Sequence, residues 1–381
     1  MIETIKKRHI ESYQKEPLML KAPSRINIIG EHTDYNLGYS LPAAVKQSLV
    51  FALSESEDGD MHLDAVDLNE TANFGIRENE YPQGHWTGYF KTMLMELESR
   101  GYAVKGINCT FGGDIPIGAG MSSSSALNCG LLFGLNELFD LGLTRREMMF
   151  IAQAAEHRFG VKGGLLDQYS ILNGKSGHAL LLDFKNISHT YVPLEIGEYH
   201  FVLFNTCVKH SLVNSPFNQR RNACHRVMDL LAKDDEKIQS FQDFDEATLN
   251  RYKDQVDEDD YIKALFVLRE DERVLKTVEA LKAGDVTALG EYLWQSHAGL
   301  RNDYEVSCEE LDFLVDHIRD LEGVLGSRMI GGGFGGCTIN VIHEDQVQTV
   351  WQSLQKAYFD KFGVEAQMVE VEVGEGISLI G

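Results

Sequence analysis

The sequence predicts an α+β protein of two domains, and three observations carry that expectation. The chain has 381 residues, long enough for two hydrophobic cores, and no length of it lacks apolar residues. Its first half interleaves strand-like stretches with helical periodicity. Its second half is helical from about Asn218 to Leu300 and then returns to strand. No internal repeat or low-complexity linker marks the boundary, which is placed near Pro193, giving domains 1–193 and 194–381.

In order, Leu18 to Ile29 reads as a strand in which Arg25 and Asn27 alternate with Ile26 and Ile28, so one face is expected to be buried. Ser48 to Leu53 and Gly106 to Phe111 are further strands, and Ser122 to Leu141 is a long, largely buried helix. Thr144 to Glu147 has the capping-box pattern, after which Met148, Ile151, Ala152 and Ala155 share one helical face and Gly160 supplies a stop. His178 to Phe184 and His200 to Phe204 are strands, and the charged run Asp254 to Arg273 reads as a solvated helix face. A glycine-rich strand segment at Met329 to Ile342, a helix from Gln346 to Phe362 and a strand near Val369 to Val373 complete the chain.

The chain carries 35 Lys+Arg against 58 Asp+Glu, a net charge of -23. That excess repels nucleic acid and anionic membranes, so neither is an expected partner. There is no charged-then-apolar leader and no apolar run near the ~20 residues that span a bilayer, so the expected location is cytoplasmic. The six cysteines have no metal-ligand spacing and fit free thiols, with Cys337 a buried packing residue.

The most informative segment is Ala22 to Pro42, APSRINIIGEHTDYNLGYSLP. A strand end delivers Arg25, then Glu31-His32-Thr33-Asp34 on a turn after Gly30, and a second turn closes at Gly38. Two carboxylates, an imidazole and a guanidinium fixed at different angles suit a polyol. A solvated surface turn would account for any one of these residues, but not for all of them together.

A second segment, Asp114 to Ser125, lies between a strand and the long helix. Gly118 and Gly120 let backbone amides approach an anion, and the serines place hydroxyls at a helix N-terminus. No lysine follows the glycines, which excludes a Walker loop, and no third glycine near 123 supports a dinucleotide fingerprint. Glu156, near the end of the helix that Thr144 begins, opposes the macrodipole and is a candidate for function on that ground. Asp167 in GGLLDQY could equally be a helix-starting aspartate. MIGGGFGGC at Met329 to Cys337 fits a loop at a site or a tight backbone crossing.

Together these segments resemble galactokinases, within the GHMP superfamily of small-molecule kinases. Two further blocks carry the likeness, TCVKHSLVNSPFNQRR at Thr206 to Arg221 and SHAGLRNDYEVSCEELD at Ser296 to Asp312. The resemblance implies a ribosomal-S5-like N-terminal domain and a ferredoxin-like C-terminal domain with the active site in the cleft between them. It implies transfer of the ATP γ-phosphate to the anomeric hydroxyl of D-galactose. Asp167 would be the proton acceptor, with Arg25 beside it favouring the ionised form and stabilising negative charge. Glu31, His32, Thr33 and Asp34 would hold the sugar. Gly118, Ala119, Gly120, Met121, Ser122, Ser123 and Ser124 would hold the ATP phosphates, with Mg2+ on Ser124 and Glu156. A monomer fits, although nothing in the sequence decides it.

Two departures stand out. Phe217 occupies the place where the family usually has a tyrosine that bonds the sugar, which leaves open a kinase for another sugar such as N-acetylgalactosamine or L-arabinose. The segment from Phe159 to Gly164 is one residue shorter than usual and lacks the family's cysteine, which loosens the alignment of Glu156. A non-catalytic galactose and ATP sensor is the alternative from another class. The intact Ser122 to Ser125, Glu156 and Asp167 speak against it.

Overall fold

A computed structural model describes the chain apart from residues 79, 83, 117–119 and 209–216, and the side chain of Phe217. In chain order the first half runs α1 (Ile2–Tyr13), β1 (Leu18–Asn27), β2 (Tyr39–Ser40), β3 (Pro42–Glu55), β4 (Met61–Ala65), β5 (Glu70–Phe74) and α2 (Thr87–Ser99). It continues through β6 (Ile107–Gly113), α3 (Ser123–Phe139), α4 (Arg145–Phe159), α5 (Leu166–Asn173), β7 (His178–Asp183) and β8 (Ser188–Pro193). The second half holds β9 (Tyr199–Asn205), α6 (Phe217–Asp234), α7 (Glu246–Asn250), α8 (Glu258–Ala283), α9 (Val286–Asn302) and α10 (Glu309–Ile318). It ends with β10 (Val324–Met329), β11 (Cys337–His343), α11 (Val347–Phe362), β12 (Gln367–Val371) and β13 (Ser378–Leu379).

Three sheets organise these elements, in the orders β13-β1-β3-β6-β4-β5, β10-β11-β9-β12 and β2-β7-β8. The last strand returns to the first sheet, where Leu379 pairs with Leu20. Phe51, Leu53, Leu131, Leu135 and Ile151 join the first hydrophobic core. A second core under α8 gathers Phe266, Leu300 and Tyr304, and a third packs α10 and α11 on the four-stranded sheet.

Several expectations hold. Thr144 caps α4 through a reciprocal box with Glu147, and Gly160 ends that helix with a left-handed φ of 113°. Met148, Ile151, Ala152 and Ala155 are all buried on its inner face. No disulfide forms among the described cysteines, and Cys337 is wholly buried, which pushes its thiol up. No helix among the described residues is long and apolar enough to cross a membrane.

Three expectations need correction. The first strand is buried on both faces, because Arg25 and Asn27 turn inward toward other elements instead of solvent. The segment Met329 to Ile342 is not one strand: its glycines form the turn joining β10 to β11. The charged run of α8 is only partly solvated, since Asp260, Lys263, Glu270 and Asp271 point inward and are buried. Buried charge is tolerated where partners exist. Here Lys263 reaches the Asp303 carbonyl at 2.6 Å, and Glu270 and Asp271 hold backbone amides of the loop after β1.

Candidate active site

Arg25, Gly120, Ser122 and Asp167 meet where β1, the N-terminus of α3 and the first turn of α5 converge. A break in the β1–β3 register between Pro23 and Arg25 turns the strand locally. Arg25 Nε donates to Asp167 Oδ1 at 2.6 Å and its Nη1 to the Gly120 carbonyl at 2.8 Å. Ser122 has a left-handed φ of 56° and makes no capping bond to α3. Its hydroxyl donates to Asp167 Oδ2 instead, so both carboxylate oxygens are held. Arg25 is nearly buried, whereas Asp167 remains 28% exposed at its side chain, which leaves it reachable by a ligand.

The N-terminal turn of α3 carries Ser123 exposed, Ser124 half-buried and Ser125 buried. Uncapped helix amides at such a terminus attract anions. Gly118 and Ala119 lie outside the described residues, and Met121 is buried, its carbonyl accepting from the Ser24 hydroxyl.

Glu156 sits in the last turn of α4, 3% exposed. Its Oε2 accepts from Gln168 Nε2 at 2.9 Å, which sets it beside Asp167 despite the shortened loop before Gly164. Burial pushes its carboxyl up to about 7, with the charge of Asp167 adding to the effect and the Ser125 hydroxyl working against it. Ser125 is therefore the hydroxyl beside Glu156 here, while Ser124 reaches toward the Tyr89 hydroxyl one turn face away. A buried carboxylate with hydroxyls nearby and no ion pair among the described residues fits a divalent cation that takes most of its ligands from phosphate and water.

The loop after β1 presents the remaining candidates with unequal freedom. Glu31 is buried, and its Oε1 accepts from the Gly331 amide at 2.8 Å and from Arg328 at 3.3 Å. Thr33 has no exposed surface, and its hydroxyl is engaged with the Gly30 and Tyr39 carbonyls and with Ser40, so it braces the loop. His32 has a left-handed φ of 64°, and its Nδ1 lies 2.7 Å from the Tyr35 hydroxyl, itself 3.0 Å from that of Tyr304. Burial pushes the His32 imidazole down to about 3, so it is neutral at physiological pH.

Asp34 lies at the rim, partly open yet ringed by protein. Its Oδ1 accepts from the Tyr35 amide at 2.9 Å. A Cβ at Gly164 would stand 1.7 Å from its Oδ2, so only glycine lets the α5 loop close on this carboxylate. Burial raises the Asp34 carboxyl to about 7, against its amide bond and with the charges of Asp167 and Glu31 adding. In the unfolded chain the same group titrates near ~4. Between those values the folded chain holds the extra proton, so this stabilisation is complete below ~4 and lost as pH rises through about 7. The stability of the chain relative to Asp34→Asn is expected to fall from pH 4 to pH 8 in denaturant titrations; a difference independent of pH would contradict the placement.

Three family models match the chain: the GHMP kinases N terminal domain over residues 88–175, the galactokinase galactose-binding signature over 7–55 and the GHMP kinases C terminal domain over 277–360. The galactokinase of Thermotoga maritima is 39% identical over 364 residues, covering 95% of this chain and 100% of that protein. The chain belongs to the galactokinases. The galactokinase of Staphylococcus carnosus is 33% identical with full coverage of both chains. The crystal structure of Lactococcus lactis galactokinase complexed with galactose superposes with a TM-score of 0.93 at 32% identity, covering 99% of each chain. Methanococcus jannaschii mevalonate kinase, at 16% identity and a TM-score of 0.67, shares the fold. The expected two-domain GHMP kinase architecture is thus borne out. Within it, the galactokinase signature spans Arg25 and the loop of Glu31 to Asp34, and the N-terminal domain model spans Ser122 to Ser124, Glu156 and Asp167.

Some residues of this galactokinase site carried no signal in the sequence. Arg328 and Tyr304 shape the candidate residues from distant chain positions, Tyr304 within a block noted only for its family likeness, while Tyr35 and Gly164 lie inside the quoted segments but carry no role there. Phe217, expected to face the sugar, opens α6, but its side chain lies outside the described residues.

Proposed function

We propose that this chain transfers the γ-phosphate of ATP to the anomeric hydroxyl of D-galactose, giving α-D-galactose 1-phosphate and ADP. The observation that carries the reading is the Asp167 carboxylate, held by Arg25 and Ser122 at the mouth of a loop rich in polyol-binding groups. Asp167 accepts the proton of the sugar hydroxyl as its oxygen attacks phosphorus. Arg25 keeps the carboxylate in place, and its charge offsets the negative charge that develops nearby.

Asp34 and the second oxygen of Glu31 accept bonds from sugar hydroxyls, with neutral His32 beside them on the same loop. The N-terminus of α3, with Gly120 and Ser122 to Ser124, faces the nucleotide phosphates. Glu156, with a serine hydroxyl of the same turn, would hold Mg2+, which neutralises phosphate charge when bound. The net charge of -23 repels ATP at long range, so these local donors must supply the attraction. We further propose a monomer working in the cytoplasm.

Phe217 supports one second reading, a kinase for N-acetylgalactosamine or L-arabinose, because a hydrogen-bonding tyrosine is expected at its position. ADP release with Mg-ATP across galactose, N-acetylgalactosamine, L-arabinose and glucose separates the two. The greatest kcat/KM on galactose supports the first reading, and a preference for another sugar supports the second. Binding of galactose and ATP without turnover would favour a sensor over both.

A further inference from the structure

The loop that carries the sugar-facing residues belongs to the first half of the chain, yet its two ends are gripped by one helix of the second half. Glu270 Oε1 in α8 accepts from the Gly30 amide at 3.1 Å and from the Ser296 hydroxyl at 2.6 Å, while its Oε2 pairs with Arg273 Nε at 2.7 Å. One residue on, Asp271 Oδ1 accepts from the Tyr39 amide at 2.7 Å. Both carboxyls are buried, at 0% and 6% exposure. The approach is close: a Cβ at Gly38 would stand 2.3 Å from Asp271 Oδ1, so the loop can sit on this carboxyl only with glycine there.

We infer that Glu270 and Asp271 are positioning residues for galactose, fixing the two ends of the Gly30–Tyr39 loop so that His32 and Asp34 are presented at set angles. The inference rests on the galactose reading above. Gly30 and Tyr39 are also the residues whose carbonyls Thr33 binds, so the clamp and the internal brace act on the same two points. Loss of either amide contact frees the loop end without touching the nucleotide side, where Ser122 to Ser124 and Glu156 are held by α3 and α4.

The surroundings push the two carboxyls in opposite directions. Burial would raise Glu270, but the charges of Arg273 and Arg328 more than offset it and hold the group below the usual carboxylate range. Burial pushes the Asp271 carboxyl well up, against its bond from Tyr39 and with the charges of Glu270 and Asp183 adding. Its Oδ2 has no hydrogen-bond partner among the described residues. An asparagine side chain of the same length keeps an oxygen to accept from the Tyr39 amide, which makes Asp271→Asn the conservative variant.

The test is steady-state kinetics of the full chain and of Asp271→Ala and Asp271→Asn, with both substrates varied. Asp271→Ala is expected to raise the galactose KM about tenfold or more, the scale of an orphaned buried amide, with the ATP KM nearly unchanged and Asp271→Asn restoring most of the loss. A galactose KM unchanged in Asp271→Ala, or equal increases in both KM values, overturns the clamp. Hydrogen exchange on the unmodified chain needs no variant to fold. Slow exchange of the Gly30 and Tyr39 amides without sugar supports the clamp, and solvent-like exchange overturns it. Failure of the unmodified chain to phosphorylate galactose would overturn the substrate reading, a result distinct from a clamp variant that matches it.

Discussion

Arg328→Met is expected to abolish measurable galactose binding and to lower folding stability by about 3–5 kcal/mol, the cost of leaving a buried ion pair with one partner. The guanidinium has no exposed surface. Its Nε donates to the Ile28 carbonyl at 2.7 Å, its Nη1 to the Met329 carbonyl at 2.7 Å and its Nη2 to the Asn27 carbonyl at 2.5 Å, while Glu31 lies 3.3 Å from Nη2. It thereby ties the end of β1 to β10 and to the glycine turn, whose Gly331 amide holds the same Glu31 oxygen. Methionine fills much of the volume but leaves three carbonyls without this donor and the buried Glu31 carboxylate without its cation. Arg328→Lys keeps the charge but not the fork, and an intermediate loss is expected. Denaturant unfolding with and without galactose measures both effects. An Arg328→Met chain with unaltered unfolding and galactose KM would show that Glu31 does not depend on this contact.

Asp167→Asn is expected to cut kcat by about 10²–10⁴, the range for removing a general base, with both KM values little changed. The amide oxygen can still accept from Arg25 Nε, so the geometry of the pair survives while the proton acceptor is lost. Single-turnover ADP formation reports the chemical step directly. A chemical rate within about threefold of the unmodified chain would remove Asp167 from the reaction.

Much of the site was legible because its residues act through local backbone geometry. A strand that stops just before Gly30, a glycine-serine turn before α3 and an aspartate in the first turn of α5 each declare themselves within a few positions. The capping box of Thr144 is legible for the same reason. What was missed depends on partners far along the chain. Arg328 lies 300 residues from Ile28, and Glu270 lies 240 from Gly30, so no local pattern announces either bond. The charges of α8 show the limit well. Their density reads as a solvated surface, and on the outer face it is one, since Glu272 and Lys276 pair in the open. The inner face meets bare loop amides, which makes buried carboxyls useful there. Strand β3 runs well beyond Ser48 to Leu53 because β1 and β6 pair along its length, a tertiary effect on strand extent. The short strands β4 and β5 and the returning β13 gave no clear pattern and exist through their pairings.

The most direct test of the whole account is phosphorus and proton NMR of the product formed from galactose and Mg-ATP by the full chain. The account predicts one sugar phosphate whose phosphorus couples to the anomeric proton, formed in step with ADP. A phosphate on any other carbon, or ADP formed without a sugar phosphate, would contradict it, because Asp167 would then not face the anomeric hydroxyl.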